Sequence, residues 1–161
     1  MDLVSRFNFL PPEIATMILA MIPLTELQGS IPVALTVYQL DPLVAYFFSI
    51  IGNLIPAVII LWLLGPISGW LIKHFLWAES FFSWLFAHTR HRFTGKYERW
   101  GALGLILFVA LPGPLTGVWT GSVAAFLFGI QKVKALLLIA LGIMITGLII
   151  LLATLGVISF F

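Results

Sequence analysis

One segment constrains the fold more than any other, namely residues 111–121, Leu-Pro-Gly-Pro-Leu-Thr-Gly-Val-Trp-Thr-Gly. It interrupts apolar sequence that runs over residues 100–130 without one ionisable side chain. Two prolines and two glycines fall within residues 112–117. A continuous helix cannot hold them, because each proline removes a backbone donor and clashes with the preceding turn. We therefore predict that this segment is the tip of a broken helix.

The composition places that tip in a membrane. Of the 161 residues, 61% are hydrophobic and only 9% are charged, whereas a soluble domain carries about 25% charged residues. The chain has no cysteine, which excludes disulfides and thiolate metal sites; no metal and no cofactor is predicted. The fold class is therefore an all-α integral membrane protein with one domain over residues 1–161. At membrane depth a broken helix needs protein or trapped water around it.

A second segment, residues 23–32, resembles the first. The triplet Pro-Leu-Thr occurs at 23–25 and again at 114–116, an offset of 91 residues that also relates the Leu-Gly pairs at 64–65 and 155–156. The apolar runs beside the first tip cover residues 14–24 and 27–40, whereas crossing the hydrocarbon takes roughly 20 helical residues. We predict re-entrant hairpins over residues 14–40 and 100–130, the first around a Glu-Leu-Gln-Gly turn. A single kinked spanning helix is the alternative for residues 14–40.

Each predicted hairpin precedes an uncharged run long enough to cross. The first run begins after Asp41-Pro42, a capping residue followed by proline, and should end at Gly65-Pro66. The second covers residues 135–161. The chain thus divides into repeat 1 at about 14–66, a connector at about 67–99 and repeat 2 at about 100–157. The connector mixes Trp and Phe with charged residues, which predicts an interfacial amphipathic helix; a short spanning helix is the alternative.

The basic residues predict the orientation. With two re-entrant hairpins, the two repeats are inverted, and seven of the eight Lys and Arg residues fall on one side. By the positive-inside rule, residues 73–99 and 131–134 are cytoplasmic and both termini lie opposite, in a prokaryotic inner membrane. The seven are Lys73, Arg90, Arg92, Lys96, Arg99, Lys132 and Lys134, and Arg6 is the eighth.

The polar residues of the tips form the candidate site. We expect half-helices to begin near Ile31 and Val118 with inward N-termini, which favour an anionic group. Glu26 is the one tip carboxylate, and because a charge at membrane depth is costly, it should bind a proton or a cationic group. Alternatively, Glu26 only caps tip backbone N–H groups. The predicted substrate- or ion-binding residues are Thr25, Glu26, Gln28, Asn53, Thr116, Trp119 and Thr120.

The predicted structural residues of the tips are Pro23, Gly29, Pro32, Pro112, Gly113, Pro114, Gly117 and Gly121. Among them, Gly117 and Gly121 are expected to let the opposing hairpin approach closely, because small residues permit close helix contacts in membranes. The others are expected to hold the two turns.

Four motifs carry a resemblance to a known family. They are residues 26–32 (Glu-Leu-Gln-Gly-Ser-Ile-Pro), 52–56 (Gly-Asn-Leu-Ile-Pro), 108–111 and 112–121. They resemble the small multidrug export protein family, itself distantly similar to the DedA/VTT membrane proteins, and the likeness covers about residues 14–156. The family usually has Arg where this chain has Gln28, which removes a cation from the tip. It also usually reads Pro-Leu-Pro-Gly-Thr-Gly where residues 112–117 read Pro-Gly-Pro-Leu-Thr-Gly.

The resemblance implies a transporter, and three functions follow. The first is export of small amphiphilic or cationic compounds, coupled to proton binding at Glu26. The second, implied by the DedA likeness, moves a lipid phosphate between leaflets, and the third is a non-transporting scaffold. No enzyme is predicted, since the sequence has neither His-Glu-x-x-His nor Gly-x-Ser-x-Gly. Expected partners are membrane lipids, the substrate and a second copy, but not nucleic acid.

Overall fold

A computed structural model describes residues 10–75, 79–80, 97–113 and 116–160, with the backbone alone at 97–100 and 160. Across these ranges the chain is helical, and an isolated bridge pairs Gly113 with Thr116. Six helices are named here, as follows: α1 is Pro12–Met21, α2 Glu26–Thr36, α3 Pro42–His74, α4 Tyr97–Ala110, α5 Val118–Leu127 and α6 Lys132–Phe160.

Two of these helices are long and apolar enough to cross a membrane. Helix α3 has 33 residues and α6 has 29, so they measure about 50 and 44 Å, against a hydrocarbon core of about 30 Å. Helix α3 begins as the sequence predicts, because the Asp41 carboxylate accepts a hydrogen bond from the Leu43 N–H at 2.9 Å and Pro42 opens the first turn. In length and composition, these two helices fit the membrane protein that the sequence predicts.

The predicted end of the first span is wrong. Helix α3 does not stop at Gly65-Pro66 but continues through Pro66, as it does through Pro56, to His74. A proline in an apolar helix forfeits one backbone hydrogen bond, yet an end at that point would expose several more unpaired groups to lipid, so continuation costs less. Residues 67–74, predicted as connector, are therefore the last two turns of α3.

Most of the predicted interfacial segment lies outside the described residues, which omit 76–78 and 81–96. Some of the basic residues on which the predicted orientation depends also lie outside the described residues. The predicted residues concerned are Arg6, Arg90, Arg92, Lys96 and Pro114, together with the side chain of Arg99.

The four shorter helices form two consecutive pairs. Residues 22–25 connect α1 to α2, and the two helices pack against each other. Residues 111–117 connect α4 to α5, which also make contact. With 10 residues in α1 and 11 in α2, each reaches about 15 to 17 Å, roughly half the hydrocarbon core. These lengths agree with the predicted hairpins, whereas entry from opposite membrane faces stays a prediction.

The first tip lies earlier in the chain than predicted. Helix α2 begins at Glu26 rather than near Ile31, so the Glu-Leu-Gln-Gly stretch is its first turn. The turn itself is residues 22–25, where the Glu26 N–H donates to the Ile22 carbonyl at 3.0 Å. Pro32 lies inside α2 rather than at the tip. The prediction took Gly29 and Pro32 as breaks, but α2 continues through both, because a helix end there would leave more unpaired backbone groups in lipid.

The long helices α3 and α6 form the centre of the molecule. Helix α3 contacts α1, α2, α5 and α6, and α6 contacts α2, α3, α4 and α5. Each short pair therefore packs on the long helix that follows it, while the second helix of each pair also reaches the other long helix. The buried core joins these helices through Leu27, Ile31, Leu61, Val118, Ile139 and Ile143.

Glycines set the closest helix crossings. In α3, a Cβ added to Gly52 would overlap the backbone carbonyl of Met17 in α1. In α6, a Cβ added to Gly142 would stand 3.0 Å from the Ile106 carbonyl oxygen in α4. Each long helix thus meets the first short helix of its own half at a glycine, the small residue that lets helix backbones approach in membranes.

Candidate functional site

The Glu26 carboxylate joins the two tips. Glu26 is the first residue of α2, and its carboxylate accepts hydrogen bonds from the backbone N–H groups of Val118 and Trp119, at the start of α5. Gly117 precedes them with φ +153° and ψ −166°, a conformation essentially restricted to glycine. A Cβ at Gly117 would overlap the carboxylate. The negative group thus occupies the position that the α5 dipole and its free N–H groups favour.

Two side-chain hydrogen bonds cross the tips in reciprocal directions. Gln28 Nε2 donates to the Gly113 carbonyl oxygen at 3.4 Å, and Trp119 Nε1 donates to the Met21 carbonyl oxygen at 3.2 Å. Both bonds therefore join the first tip to the second. Gly117 stands opposite Glu26, where the lack of a side chain leaves room for the carboxylate.

Burial controls the ionisation of Glu26, which lies outside the two spanning helices. Burial raises the pKa of Glu26 from 4.5 to about 7, while the hydrogen bonds from Val118 and Trp119 oppose that rise by stabilising the anion. Burial therefore favours the protonated form of this carboxyl group more than it is favoured in an exposed glutamate.

An outer cavity of about 230 Å³ opens beside the carboxylate. Because drug-sized ligands occupy roughly 300–1,000 Å³, this space suits a head group or a small cation rather than a whole large substrate. Hydroxyl, amide and indole groups from both tips surround it. Its lining consists of Pro23, Leu24, Thr25, Glu26, Gln28, Gly113, Thr116, Trp119 and Thr120.

An inner cavity of about 10 Å³ lies on another side of Glu26, with room for about one water molecule. Asn53 of α3 and Thr146 of α6 line it together with Thr116 and Gly117. The Asn53 side chain is 2% exposed, and its Oδ1 is buried without a hydrogen-bond partner. A buried acceptor in that state is costly and indicates a missing ligand or water.

The structure brings together all seven predicted binding residues. Six of them line the outer cavity, and Asn53 lines the inner one beside Glu26. Sequence reasoning missed Thr146, whose Oγ1 donates to the Val109 carbonyl oxygen at 2.8 Å in the neighbouring α4. Its one sequence signal is a hydroxyl inside an apolar run, but Thr154 and Ser159 share that signal.

The predicted structural residues of the tips do not all lie at the contact between the two tips. A Cβ added to Gly117 would meet the Glu26 carboxylate of the other tip, whereas one added to Gly121 would meet Val109 of α4 within its own pair. Pro23, Pro112 and Gly113 lie in the connecting segments, and Gly29 packs closely on Thr25.

Together these features define an integral membrane protein with a polar site held between two broken helical segments. The family model described as "Putative small multi-drug export protein" matches residues 26–149, which is most of the chain and begins at Glu26. The chain belongs to this family. No curated protein and no solved structure matches it, and the similarity to DedA/VTT proteins stays a prediction.

Proposed function

We propose that the protein exports small amphiphilic or cationic compounds across the membrane, with Glu26 exchanging a proton for the substrate cation. One observation carries the proposal: the Glu26 carboxylate joins the two tips and lines the outer cavity. Among the residues that line the two cavities, Glu26 is the one that ionises. The family description supports export of small compounds.

The proposed membrane placement is an inverted pair of re-entrant hairpins. The half-length helices, the matching contact pattern of the two halves and the reciprocal Gln28 and Trp119 hydrogen bonds support it. Inverted repeats of this kind place a substrate site near the bilayer midplane. Lys132 and Lys134 at the start of α6 would then lie in the cytoplasm, as the positive-inside rule predicts.

The charge of Glu26 would control the contact between the tips. As an anion it accepts charge-assisted hydrogen bonds from the α5 N-terminus, which are roughly twice as strong as neutral ones. Protonation weakens them, and a cationic group in the outer cavity competes for the same oxygens. Thr25, Gln28 and Thr120 would supply neutral hydrogen bonds to the substrate. Because proton and substrate compete for one carboxylate, inward proton movement would drive outward substrate movement.

A transport assay tests the proposal. Purified protein in liposomes would receive a pH gradient, and uptake of a fluorescent cationic dye such as ethidium would be followed across a pH series. The parent should accumulate dye with a pH dependence centred near 7, and Glu26→Gln should abolish that dependence. Glu13→Gln is the matched control, because Glu13 is a carboxylate in α1 that lines neither cavity. Parent-like transport by Glu26→Gln at every pH would overturn the proposal.

Lipid-phosphate transport and a scaffold remain as alternatives. The structure offers less to a phosphate, because the Glu26 carboxylate already occupies the N-terminus of α5 that would cradle it. Lipid transport would respond to Gly117→Val rather than to Glu26→Gln, since it depends on tip backbone geometry. A scaffold would move neither dye nor lipid. We also propose a homodimer, because two spanning helices alone form little wall around a pathway.

A further inference from the structure

We propose that the inner cavity binds one water molecule, which joins Asn53 to the Glu26 carboxylate and makes Asn53 a positioning residue for Glu26. The cavity measures about 10 Å³, which is about the volume that a single water needs. Asn53 belongs to α3, whereas Glu26 is the first residue of α2. The water would therefore connect the centre of the molecule to the contact between the tips.

The buried amide of Asn53 gives the water its first partner. The side chain is 2% exposed, and its Oδ1 is buried without a hydrogen-bond partner. Internal waters bind to such unsatisfied groups and make about three hydrogen bonds each. Asn53 Oδ1 and the ionised Glu26 carboxylate are both acceptors, so they cannot bond to each other directly. A water between them can donate one proton to each.

The Glu26 carboxylate is the preferred acceptor for the second proton. Thr146 Oγ1 donates its own proton to the Val109 carbonyl at 2.8 Å, and Thr116 Oγ1 donates to the Leu111 carbonyl at 2.7 Å. These hydroxyls therefore offer the water lone pairs, but a hydrogen bond to a carboxylate is roughly twice as strong as one to a neutral oxygen. Two backbone N–H groups of α5 use two of the carboxylate's roughly four lone-pair positions, which leaves room for the water.

The water would favour the ionised form of Glu26. It donates a charge-assisted hydrogen bond to the anion, and the protonated carboxyl group lacks the charge that strengthens this bond. The water thus opposes the rise in the pKa of Glu26 that burial causes. A direct hydrogen bond from a protonated Glu26 to Asn53 Oδ1 would instead favour the protonated form. The two arrangements therefore predict opposite effects when Asn53 is replaced.

Other charged side chains of the described residues lie away from the two cavities. Glu26 is the one ionisable residue that lines them, and the remaining lining residues are amide, hydroxyl, indole, apolar or glycine. A change in the pKa of Glu26 therefore reports on Asn53 and the water rather than on a neighbouring charge. The charged or titratable residues of the surrounding helices that line neither cavity are Glu13 in α1, Lys73 and His74 in α3, and Lys132 and Lys134 in α6.

Nuclear magnetic resonance of the purified protein in detergent tests for the water directly. Val118 and Ile143 have no exposed surface and line the inner cavity. Nuclear Overhauser transfer from water to their methyl protons must therefore come from a water inside the protein. We expect this transfer at both residues and none at Ile139, which also has no exposed surface but lines neither cavity. Absence of transfer at both Val118 and Ile143 would overturn the proposal.

A titration of Glu26 tests the role of Asn53. Glutamate carboxyl groups labelled with ¹³C would be followed across a pH series, and the Glu26 signal is the one lost in Glu26→Gln. Asn53→Leu keeps nearly the same size and removes the acceptor that anchors the water, so the titration midpoint of Glu26 should move upward by about one pH unit. Ser49→Ala is the matched control. It removes another buried polar group of α3, which accepts a hydrogen bond from Ser30 of α2 at 3.0 Å and lines neither cavity, so the midpoint should stay unchanged.

An unchanged midpoint in Asn53→Leu would overturn the role of Asn53. A midpoint that moves downward would also overturn it, and would indicate the direct hydrogen bond instead. Asn53→Val gives the same test if Asn53→Leu does not fold. Asn53→Ser keeps an oxygen that can accept from a water, so its midpoint should stay close to that of the parent. A rise as large as in Asn53→Leu would attribute the effect to packing and contradict the proposal.

The effect of Asn53 on transport rests on the export function proposed above, whereas the water and the titration do not. If proton exchange at Glu26 drives export, the pH dependence of dye uptake by Asn53→Leu should move upward together with the titration midpoint. Water transfer and a shifted midpoint without dye uptake by the parent would leave the water site and remove the exporter. Dye uptake that depends on Glu26, with an unchanged midpoint in Asn53→Leu, would do the reverse.

Discussion

The substitution Gly117→Ala tests the contact that joins the two tips. The new Cβ would overlap the Glu26 carboxylate, and alanine at φ +153° is strained. A residue held in that region costs about 1–3 kcal/mol. Displacing the carboxylate from the Val118 and Trp119 N–H groups forfeits a hydrogen bond to a charged group, about 1.5–3 kcal/mol. We therefore expect a loss of about 2.5–6 kcal/mol of stability.

Thermal unfolding in detergent measures this loss. At about 2–4 °C for each kcal/mol in a chain of this size, the midpoint should fall by roughly 5–24 °C. Gly69→Ala is the control, because Gly69 lies inside α3 and has open space where its Cβ would stand. It should leave the midpoint almost unchanged or raise it, since alanine favours helix.

A double substitution separates the two causes. Glu26→Ala removes the carboxylate that the new Cβ would overlap, so Gly117→Ala should cost less in that background, and only the backbone strain of about 1–3 kcal/mol should remain. If Gly117→Ala is as stable as the parent, or if the two substitutions are additive, the carboxylate does not lie against Gly117 as the structure has it.

Three further predictions concern charge, packing and topology. Because burial raises the pKa of Glu26 from 4.5 to about 7, the folded state binds the proton more tightly, so stability should fall as the pH rises through that window. Unfolding midpoints across this range should show that fall in the parent and lose it in Glu26→Gln; identical pH profiles would contradict it. Trp119→Phe removes the hydrogen bond to the last carbonyl of α1 and should lower the unfolding free energy by about 0.5–1.5 kcal/mol. Since the chain has no cysteine, single cysteines at positions 13 and 39 should react with impermeant maleimide from one side, and one at position 131 from the other. Labelling of 13 and 39 from opposite sides would exclude the first re-entrant hairpin.

The sequence alone was enough to predict those features that depend on residues close together in the chain. Composition and run length identified a membrane protein with two spanning helices, because apolar length alone decides whether a helix can cross lipid. The start of α3 followed from Asp41-Pro42, since a cap is made by neighbours in sequence. The broken segments and the polar residues within them were visible for the same reason, because prolines and glycines act on their own turn.

Tertiary structure decided what depends on partners far along the chain. Helix α3 continues past Pro66, and α2 begins at Glu26. In both places a local helix break competes with the cost of the unpaired backbone groups that an exposed helix end would leave in lipid. Sequence named Glu26 and Gly117 separately, but only folding placed the carboxylate on the N-terminus of α5. Thr146 lies beside Asn53 because α6 is rotated so that this residue lines the inner cavity. A uniformly apolar run does not predict that rotation.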